Sequence, residues 1–170
     1  MSVLLEEIDL LVFDFDGVMT DNAVWITEDG NELVRCSRAD GWGLARLRET
    51  GLPMMVLSTE VNKVVSSRCA KLGLPVVQAV ADKGSTLTEI LEQRGIDAGR
   101  VVYVGNDVND SDCLRMVGTA VVVADAHPGV LALADLVLEQ KGGHGAVREL
   151  CDLLLTEGGP RPERNARSEP

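Results

Sequence analysis

The chain has 170 residues, of which 45% are apolar and 25% are charged, and its 16 basic and 27 acidic residues give a formal net charge of −11. A globular chain of this length forms one domain with a sizeable core. The sequence contains no run of about 18 apolar residues, which excludes a transmembrane helix. The acidic balance argues against nucleic-acid binding, because the protein would repel a phosphate backbone.

The cysteines and the start of the chain both predict a cytoplasmic protein. The four cysteines lie far apart without a Cys-x-x-Cys pair, which favours free thiols in a reducing compartment over a zinc site or a disulfide framework. They are Cys36, Cys69, Cys113 and Cys151. The first residues, Met-Ser-Val-Leu-Leu-Glu-Glu, lack the basic region and the long apolar stretch of a secretory signal.

Short apolar runs alternate with amphipathic segments along the chain, and this order predicts strands that alternate with helices. In chain order we predict strand 8–13, hairpin 24–37 with an Asp-Gly turn, helix 40–50, strand 54–57, helix 61–72, strand 76–80, helix 82–94, strand 101–104, helix 109–116, strand 120–123, helix 128–133, strand 136–138 and helix 146–155. Such an order is typical of an α/β, Rossmann-like fold, a doubly wound parallel sheet covered on both faces.

Composition divides the chain into a folded domain and a tail. Residues 158–170 contain three prolines, two glycines and almost no apolar side chains, a composition typical of a flexible segment. We therefore predict one domain over residues 1–157, with a small β-hairpin flap at 22–37, and a flexible tail after it.

Reactive side chains follow the predicted strands at their carboxyl ends, where ligands collect in open α/β sheets. Asp14 and Asp16 follow the first strand, Ser58 follows the second, Lys83 comes in the helix after the third, and the acidic loop 105–110 follows the fourth. So many carboxylates at one edge would raise one another's pKa unless a cation balanced them. Oxygen ligands of this kind suit magnesium, which accepts one or two carboxylates together with a substrate phosphate.

This arrangement assigns a role in phosphate chemistry to each residue. Asp14 is the candidate nucleophile, and Asp16 is the candidate acid that protonates the leaving oxygen and then deprotonates water. Ser58 and Lys83 would contact the phosphate oxygens, and Gly17 would allow the backbone to approach them. Each residue alone also fits a helix cap or a solvated side chain. Their combined order after successive strands favours the functional interpretation.

The same segments resemble the four motifs of the haloacid dehalogenase-like phosphohydrolases. The motif residues here are Asp-Phe-Asp-Gly-Val-Met-Thr-Asp at 14–21, Ser58, Lys83 and Gly-Asn-Asp-Val-Asn-Asp at 105–110. More narrowly, the stretches 40–41, 124–128 and 142–149 are similar to the phosphatases of 3-deoxy-D-manno-octulosonate 8-phosphate and of 2-keto-3-deoxy-nononate 9-phosphate. The resemblance covers about residues 8 to 155.

The resemblance implies a magnesium ion held by Asp14, by the backbone carbonyl of Asp16 and by the acidic loop. Many relatives carry Asp directly after the loop glycine, where this chain has Asn106. An amide oxygen still binds magnesium but brings less charge, and Asp107 is the alternative ligand, directly or through water. Asp110 completes the candidate ligand set. The sequence leaves the choice between Asn106 and Asp107 open.

The substrate-binding candidates are Gly17, Thr59, Glu60, Arg68 and Lys71. Octulosonate phosphatases tend to carry Gly-Arg where this chain has Thr59-Glu60, and a Glu there with a following lysine resembles the nononate branch. Glu60 would accept hydrogen bonds from sugar hydroxyls, and Lys71 or Arg68 would pair with the substrate carboxylate. The alternative is that the basic residues only solvate a helix face.

The resemblance also implies an assembly. Relatives of this subgroup lack a large cap domain and form tetramers through the hairpin, so we expect a homotetramer in which a neighbouring subunit covers the site. Neither a membrane nor a nucleic acid is expected as a partner. Two alternatives are a non-catalytic tetramerisation module of a sialic-acid or sugar-nucleotide pathway, and a phosphatase of this fold with another small-molecule specificity. The intact set of Asp14, Asp16 and Lys83 argues against the module.

Overall fold

The computed structural model describes residues 5–157, so the predicted tail at 158–170 lies outside the described residues. The strands of this part are β1 Leu10–Phe13, β2 Thr20–Ile26, β3 Glu32–Cys36, β4 Met54–Leu57, β5 Val76–Val77, β6 Val101–Gly105, β7 Thr119–Val122 and β8 Leu136–Val137. Six of them form one parallel sheet in the order β5-β4-β1-β6-β7-β8. The other two, β2 and β3, form an antiparallel hairpin.

Six α-helices connect or follow these strands in the described part of the chain. They are α1 Arg38–Arg48, α2 Lys63–Leu72, α3 Lys83–Arg94, α4 Ser111–Met116, α5 Pro128–Leu131 and α6 Ala146–Glu157, with short 3-10 turns at Leu5–Glu7, Ala98–Arg100 and Val108–Asp110. The side chain of Asp82 accepts a hydrogen bond from the Ser85 N–H and so caps α3. Gly95 ends α3 in the left-handed region, with a φ of 64°.

The core lies on both faces of the central strands. Every residue of β1, β4 and β6 is buried. Because alternate side chains of a strand point to opposite faces, burial at every position requires cover on both sides of the sheet. Helix α1 packs against α6 and α3 packs against α4. The predicted α/β, Rossmann-like parallel sheet with a small hairpin is therefore confirmed.

Several predicted boundaries differ from the structure by two residues or more, and backbone conformation explains two of the differences. The strand predicted at 76–80 ends after two residues, because Ala79 adopts a left-handed φ of 60° that an extended strand cannot contain. The hairpin begins earlier than predicted, since Thr20 already pairs with Cys36. The register shifts between Thr20 and Val24, and Asn22 lies in that shift with a φ of 59°.

None of the helices within residues 5–157 is long and apolar enough to cross a bilayer. The hairpin, in contrast, exposes apolar side chains to solvent. Trp25 is 70% exposed, and the neighbouring Val24, Ile26 and Leu33 are each more than half exposed. These side chains form an apolar surface that the isolated chain leaves in water.

Candidate active site

Three neighbouring strands deliver the candidate residues to one edge of the sheet. Strand β1 lies between β4 and β6, and the three strands run parallel. Asp14 follows β1, Ser58 follows β4 and Asn106 follows β6, and all three are buried. Parallel strands end at the same edge, so residues separated by nearly fifty positions along the chain converge there.

A buried cluster of charges lies at this edge. The ammonium Nζ of Lys83, the first residue of α3, lies 2.7 Å from Asp14 Oδ1 and 2.7 Å from Asp110 Oδ1. The side chains of Lys83 and Asp110 are fully buried and that of Asp14 is 5% exposed. A buried ammonium requires such partners, because an isolated charge is strongly disfavoured in the protein interior. The structure thus brings Asp14 and Lys83 into direct contact.

Asp110 organises the cluster through four hydrogen bonds. Its Oδ1 accepts from Lys83 and from the Tyr103 hydroxyl at 2.7 Å, and its Oδ2 accepts from the N–H groups of Asn106 and Asp107 at 2.8 and 3.2 Å. Both oxygens therefore have two donors. We assign Asp110 to positioning Lys83 and the loop after β6. A direct contact between Asp110 and a metal stays a prediction, and these hydrogen bonds do not support it.

Burial and neighbouring charges shift the protonation of the cluster. Burial first and the Asp110 carboxylate second raise the pKa of Asp14, and with the opposing effect of Lys83 included the pKa is about 7. Burial alone would lower the pKa of Lys83, but Asp14 and Asp110 together raise it above its usual value. Burial also raises the pKa of Asp16, with a further contribution from Glu60. A raised pKa suits a carboxyl group that donates a proton near neutral pH.

The oxygens around Asn106 fit a magnesium ion. The carboxamide oxygen of Asn106 lies 3.1 Å from Asp14 Oδ2 and 2.9 Å from the backbone oxygen of Asp16. Octahedral coordination at 2.0–2.1 Å places adjacent ligand oxygens about 3 Å apart, so both separations are those of neighbouring ligands in one coordination shell. Residues 5–157 contain no group of three His, Cys, Asp or Glu side chains arranged around a metal. The candidate ligands are instead one carboxylate, one carbonyl and one amide.

A cavity of about 300 Å³ opens beside these groups. Its walls come from the loops after β1, β4 and β6 and from the base of the hairpin. The lining residues are Asp14, Asp16, Asn22, Thr59, Asn106, Asp107, Val108 and Asn109. The cavity therefore places the predicted nucleophile, the predicted acid and the candidate metal ligands around one space.

Comparison with known proteins identifies the family. Residues 57–150 match the model of the haloacid dehalogenase-like hydrolases. The chain belongs to this family. The 3-deoxy-D-manno-octulosonate 8-phosphate phosphatase of Escherichia coli K12 is 37% identical to it over 164 residues, which cover 96% of this chain and 87% of the relative. The predicted family and the predicted class, a phosphoric monoester hydrolase, are confirmed.

Two solved structures of haloacid dehalogenase-like hydrolases have the same fold over most of their length. One, a hydrolase of this family from Streptomyces avermitilis, has a TM-score of 0.89 and 46% identity and covers 91% of this chain and 89% of its own. The other is the 3-deoxy-D-manno-octulosonate 8-phosphate phosphatase of Moraxella catarrhalis, which was solved with magnesium, phosphate and a KDO molecule. It has a TM-score of 0.86 and 28% identity, and it also covers 91% of this chain and 89% of its own.

The loop after β4 lies at the rim of the site. The buried Ser58 hydroxyl accepts a hydrogen bond from the Glu60 N–H at 3.1 Å, and Thr59 is exposed at the cavity. One oxygen of Glu60 accepts from the N–H groups of Val61 and Asn62 at 2.7 Å each. These bonds hold Glu60 at the start of α2 and leave its second oxygen for another donor.

Gly17 packs against the metal-ligand candidate rather than lining the cavity. It has a φ of 78°, and a Cβ at this position would lie 1.9 Å from Nδ2 of Asn106, so only glycine fits. Its N–H donates to the Thr20 hydroxyl at 3.1 Å. A contact between Gly17 and phosphate remains a prediction.

Arg68 and Lys71 are not brought to this site within one chain. They line a second cavity of about 620 Å³ together with Cys36, Arg38, Gly41, Trp42, Ala45 and Leu72. Within the described residues, the two cavities have no lining residue in common. Arg68 donates a hydrogen bond to the Ser37 carbonyl at 2.8 Å. Binding of substrate by Arg68 and Lys71 stays a prediction.

The sequence interpretation missed two residues of the site. Tyr103 lies inside an apolar strand, where nothing in the pattern distinguishes a tyrosine that fills the core from one whose hydroxyl reaches Asp110. Asn22 lines the cavity because the hairpin begins at Thr20 and shifts its register there. An Asn that follows a motif of the first strand is the only signal that could have indicated it.

Proposed function

We propose that this protein is a magnesium-dependent phosphomonoesterase that hydrolyses a phosphorylated 2-keto-3-deoxy sugar acid through an aspartyl-phosphate on Asp14. The observation that carries the proposal is the buried contact between Asp14 and Lys83 at the wall of a cavity that Asp16 also lines. A scaffold gains little stability from this arrangement, because the cost of removing charges from water can exceed the attraction between them. The activities of the relatives support the reaction and the sugar-acid class.

The residues divide the chemistry between them. Lys83 keeps the Asp14 carboxylate oriented, and this carboxylate attacks phosphorus while the bond from phosphorus to the leaving oxygen breaks. Asp16 donates its proton to that oxygen and then removes a proton from water, which attacks the phosphorus and releases phosphate and the Asp14 carboxylate. The Asp14 carboxylate, the Asp16 carbonyl and Asn106 would hold magnesium, which when bound would neutralise charge on the phosphate oxygens.

A nucleophile variant tests the covalent step. Asp14→Asn keeps the shape of the side chain but removes the attacking carboxylate, so phosphate release should fall at least about a thousandfold, in keeping with losses seen when a nucleophile is removed. Asp112→Asn, a change of an exposed acid that pairs with Arg115, is the matched control and should retain activity. Circular dichroism checks that both variants fold. Substantial turnover by Asp14→Asn would refute the covalent role.

The two sugar acids are separated by a substrate screen. Glu60 retains one oxygen to accept a hydrogen bond from a sugar hydroxyl, a feature that we take to favour nononate 9-phosphate over octulosonate 8-phosphate. Phosphate release is measured with both substrates, with sialate 9-phosphate and with hexose phosphates, and with Glu60→Gln. Glu60→Gln should lower kcat/KM for nononate 9-phosphate most. A preference for hexose phosphates would remove the sugar-acid assignment and leave the reaction class standing.

We also propose a homotetramer formed through the hairpin. The support is the exposed apolar surface around Trp25, together with the position of Arg68 and Lys71 outside the chain's own cavity. In an assembly these two basic side chains would reach the substrate carboxylate bound by a neighbour. Light scattering should give four chains for the wild type and fewer for Trp25→Glu. A tetramer without phosphate release from any substrate would favour the non-catalytic module.

A further inference from the structure

The carboxamide of Asn106 lies in an unusual hydrogen-bonding position. On one side it faces two acceptors, Asp14 Oδ2 at 3.1 Å and the Asp16 carbonyl oxygen at 2.9 Å, and on its other side it faces only hydrogen-bond donors. The residue is 7% exposed, so water has little access to correct a mismatch. Buried polar atoms are strongly disfavoured without partners.

The two orientations of this amide are not equally satisfied: only one pairs both ends of the amide with protein groups, and the other requires a cation between the oxygens. With the NH₂ group turned towards Asp14 and Asp16, the amide donates two hydrogen bonds and its oxygen accepts from the donors behind it. With the oxygen turned towards them, three acceptors converge within about 3 Å, and only a cation can hold them together. A carboxylate at position 106 would allow the second arrangement alone, because it has no hydrogen to donate.

We propose that the Asn106 carboxamide turns over when magnesium binds, donating to Asp14 and Asp16 without the ion and coordinating the ion through its oxygen when it is present. The inference rests on the magnesium site of the proposed function and concerns how this chain controls that site. Gly17 packs so closely against the amide that a Cβ would lie 1.9 Å from Nδ2. The amide is therefore confined and changes partners by rotating in place.

The exchange has two consequences for the protein. Without metal, the two hydrogen bonds from the Asn106 NH₂ group stabilise the Asp14 and Asp16 oxygens, so these oxygens do not require an ion. Magnesium must break both bonds before it binds, and it gains a neutral ligand where an aspartate would add a charge. Ligand charge is a principal determinant of affinity for such ions. The chain should therefore bind magnesium more weakly, and depend on it less for folding, than the variant with aspartate.

The test compares Asn106→Asp with Asn109→Asp. Both changes add one carboxylate to the same cavity, but only the first replaces the amide. Calorimetric titration with magnesium chloride should show binding to Asn106→Asp tightened by about tenfold or more, the factor that corresponds to 1.4 kcal/mol, and a smaller change for Asn109→Asp. In EDTA the melting temperature of Asn106→Asp should fall below that of the wild type, and excess magnesium should restore it.

Two results would overturn the inference. Equal tightening in both variants would mean that added charge alone governs affinity, and unchanged affinity in Asn106→Asp would mean that residue 106 does not contact the ion. A second measurement covers the case in which Asn106→Asp does not fold. In the ¹⁵N-labelled wild type, the side-chain NH₂ resonances of Asn106 are assigned by their absence in Asn106→Ser. On magnesium addition they should shift more than those of Asn22. An unshifted Asn106 signal would also refute the exchange.

These measurements use neither substrate nor turnover, so they separate the inference from the proposed function. If the binding and melting differences appear but no phosphomonoester is hydrolysed, the exchange of the amide stands and the proposed reaction fails. If phosphate release requires magnesium but the two variants bind the ion alike, the reaction stands and the exchange fails.

Discussion

Replacing Asp110 by asparagine should destabilise the protein more than any other single change at the site that preserves volume. Each oxygen of Asp110 accepts two hydrogen bonds, from Lys83 and Tyr103 on one side and from the Asn106 and Asp107 N–H groups on the other. An asparagine has one oxygen and one NH₂ group. Turned one way, its NH₂ group faces the two backbone N–H groups, and turned the other way it faces the Lys83 ammonium, while the Tyr103 hydroxyl has to turn and accept.

The size of the effect follows from these contacts. A hydrogen bond to a charged group contributes about 1.5 to 3 kcal/mol, and up to two are lost, while Lys83 also loses one of its two carboxylates. Removal of the repulsion between Asp110 and Asp14 offsets part of the loss. We expect the free energy of unfolding to fall by about 3 kcal/mol or more. Tyr103→Phe removes a single donor and should cost only about 1 kcal/mol.

Urea unfolding at one protein concentration, in EDTA and followed by far-UV circular dichroism, measures both variants. Tryptophan fluorescence is a poor probe here, because Trp25 and Trp42 are each 70% exposed in the folded chain. Equal slopes for wild type and variants would allow the midpoints to be compared directly. A loss below about 1 kcal/mol for Asp110→Asn, or one no larger than that of Tyr103→Phe, would refute the reasoning from four hydrogen bonds.

Three further predictions concern pH, packing and metal removal. Burial raises the pKa of Asp40 to about 6 from 3.8 in the unfolded chain, so the charge of Asp40 destabilises the fold above pH 6 and not below pH 4. Asp40→Asn keeps the acceptor for the Arg148 N–H and should therefore raise the free energy of unfolding in urea by up to about 3 kcal/mol at pH 8 and by almost nothing at pH 4. An equal gain at both pH values would contradict this. A Cβ on Gly142 would lie 1.9 Å from the Gly17 carbonyl oxygen, so Gly142→Ala should lower the melting temperature by an amount equivalent to about 1–3 kcal/mol. Gly99→Ala is the control and should change it little, because a Cβ there would lie 3.4 Å from its nearest neighbour, Asp97 Oδ1. EDTA should abolish phosphate release, and magnesium should restore it. Activity that persists in EDTA would show that the reaction does not require the metal.

The arrangement of strands and helices was accessible from the sequence because it depends on local patterns. Buried strands are apolar at every position, as in β1 and β6, and helices end where a glycine such as Gly95 takes up a left-handed conformation. The order of these elements dictates a parallel sheet. Since ligands collect at the carboxyl ends of such strands, the sequence also indicated that Asp14 and Lys83 lie near each other.

The partners of individual atoms were decided only by the tertiary structure. Nothing local distinguishes Asp110 as a hydrogen-bonded positioning group from Asp110 as a metal ligand, because the difference depends on where Tyr103 and Lys83 place their donors. Arg68 and Lys71 similarly line another cavity, which nothing in their own segment indicates. Apolar periodicity acts over a few residues of one segment, whereas hydrogen bonds and ion pairs form between side chains that only the packing of distant segments brings within 3 Å of each other.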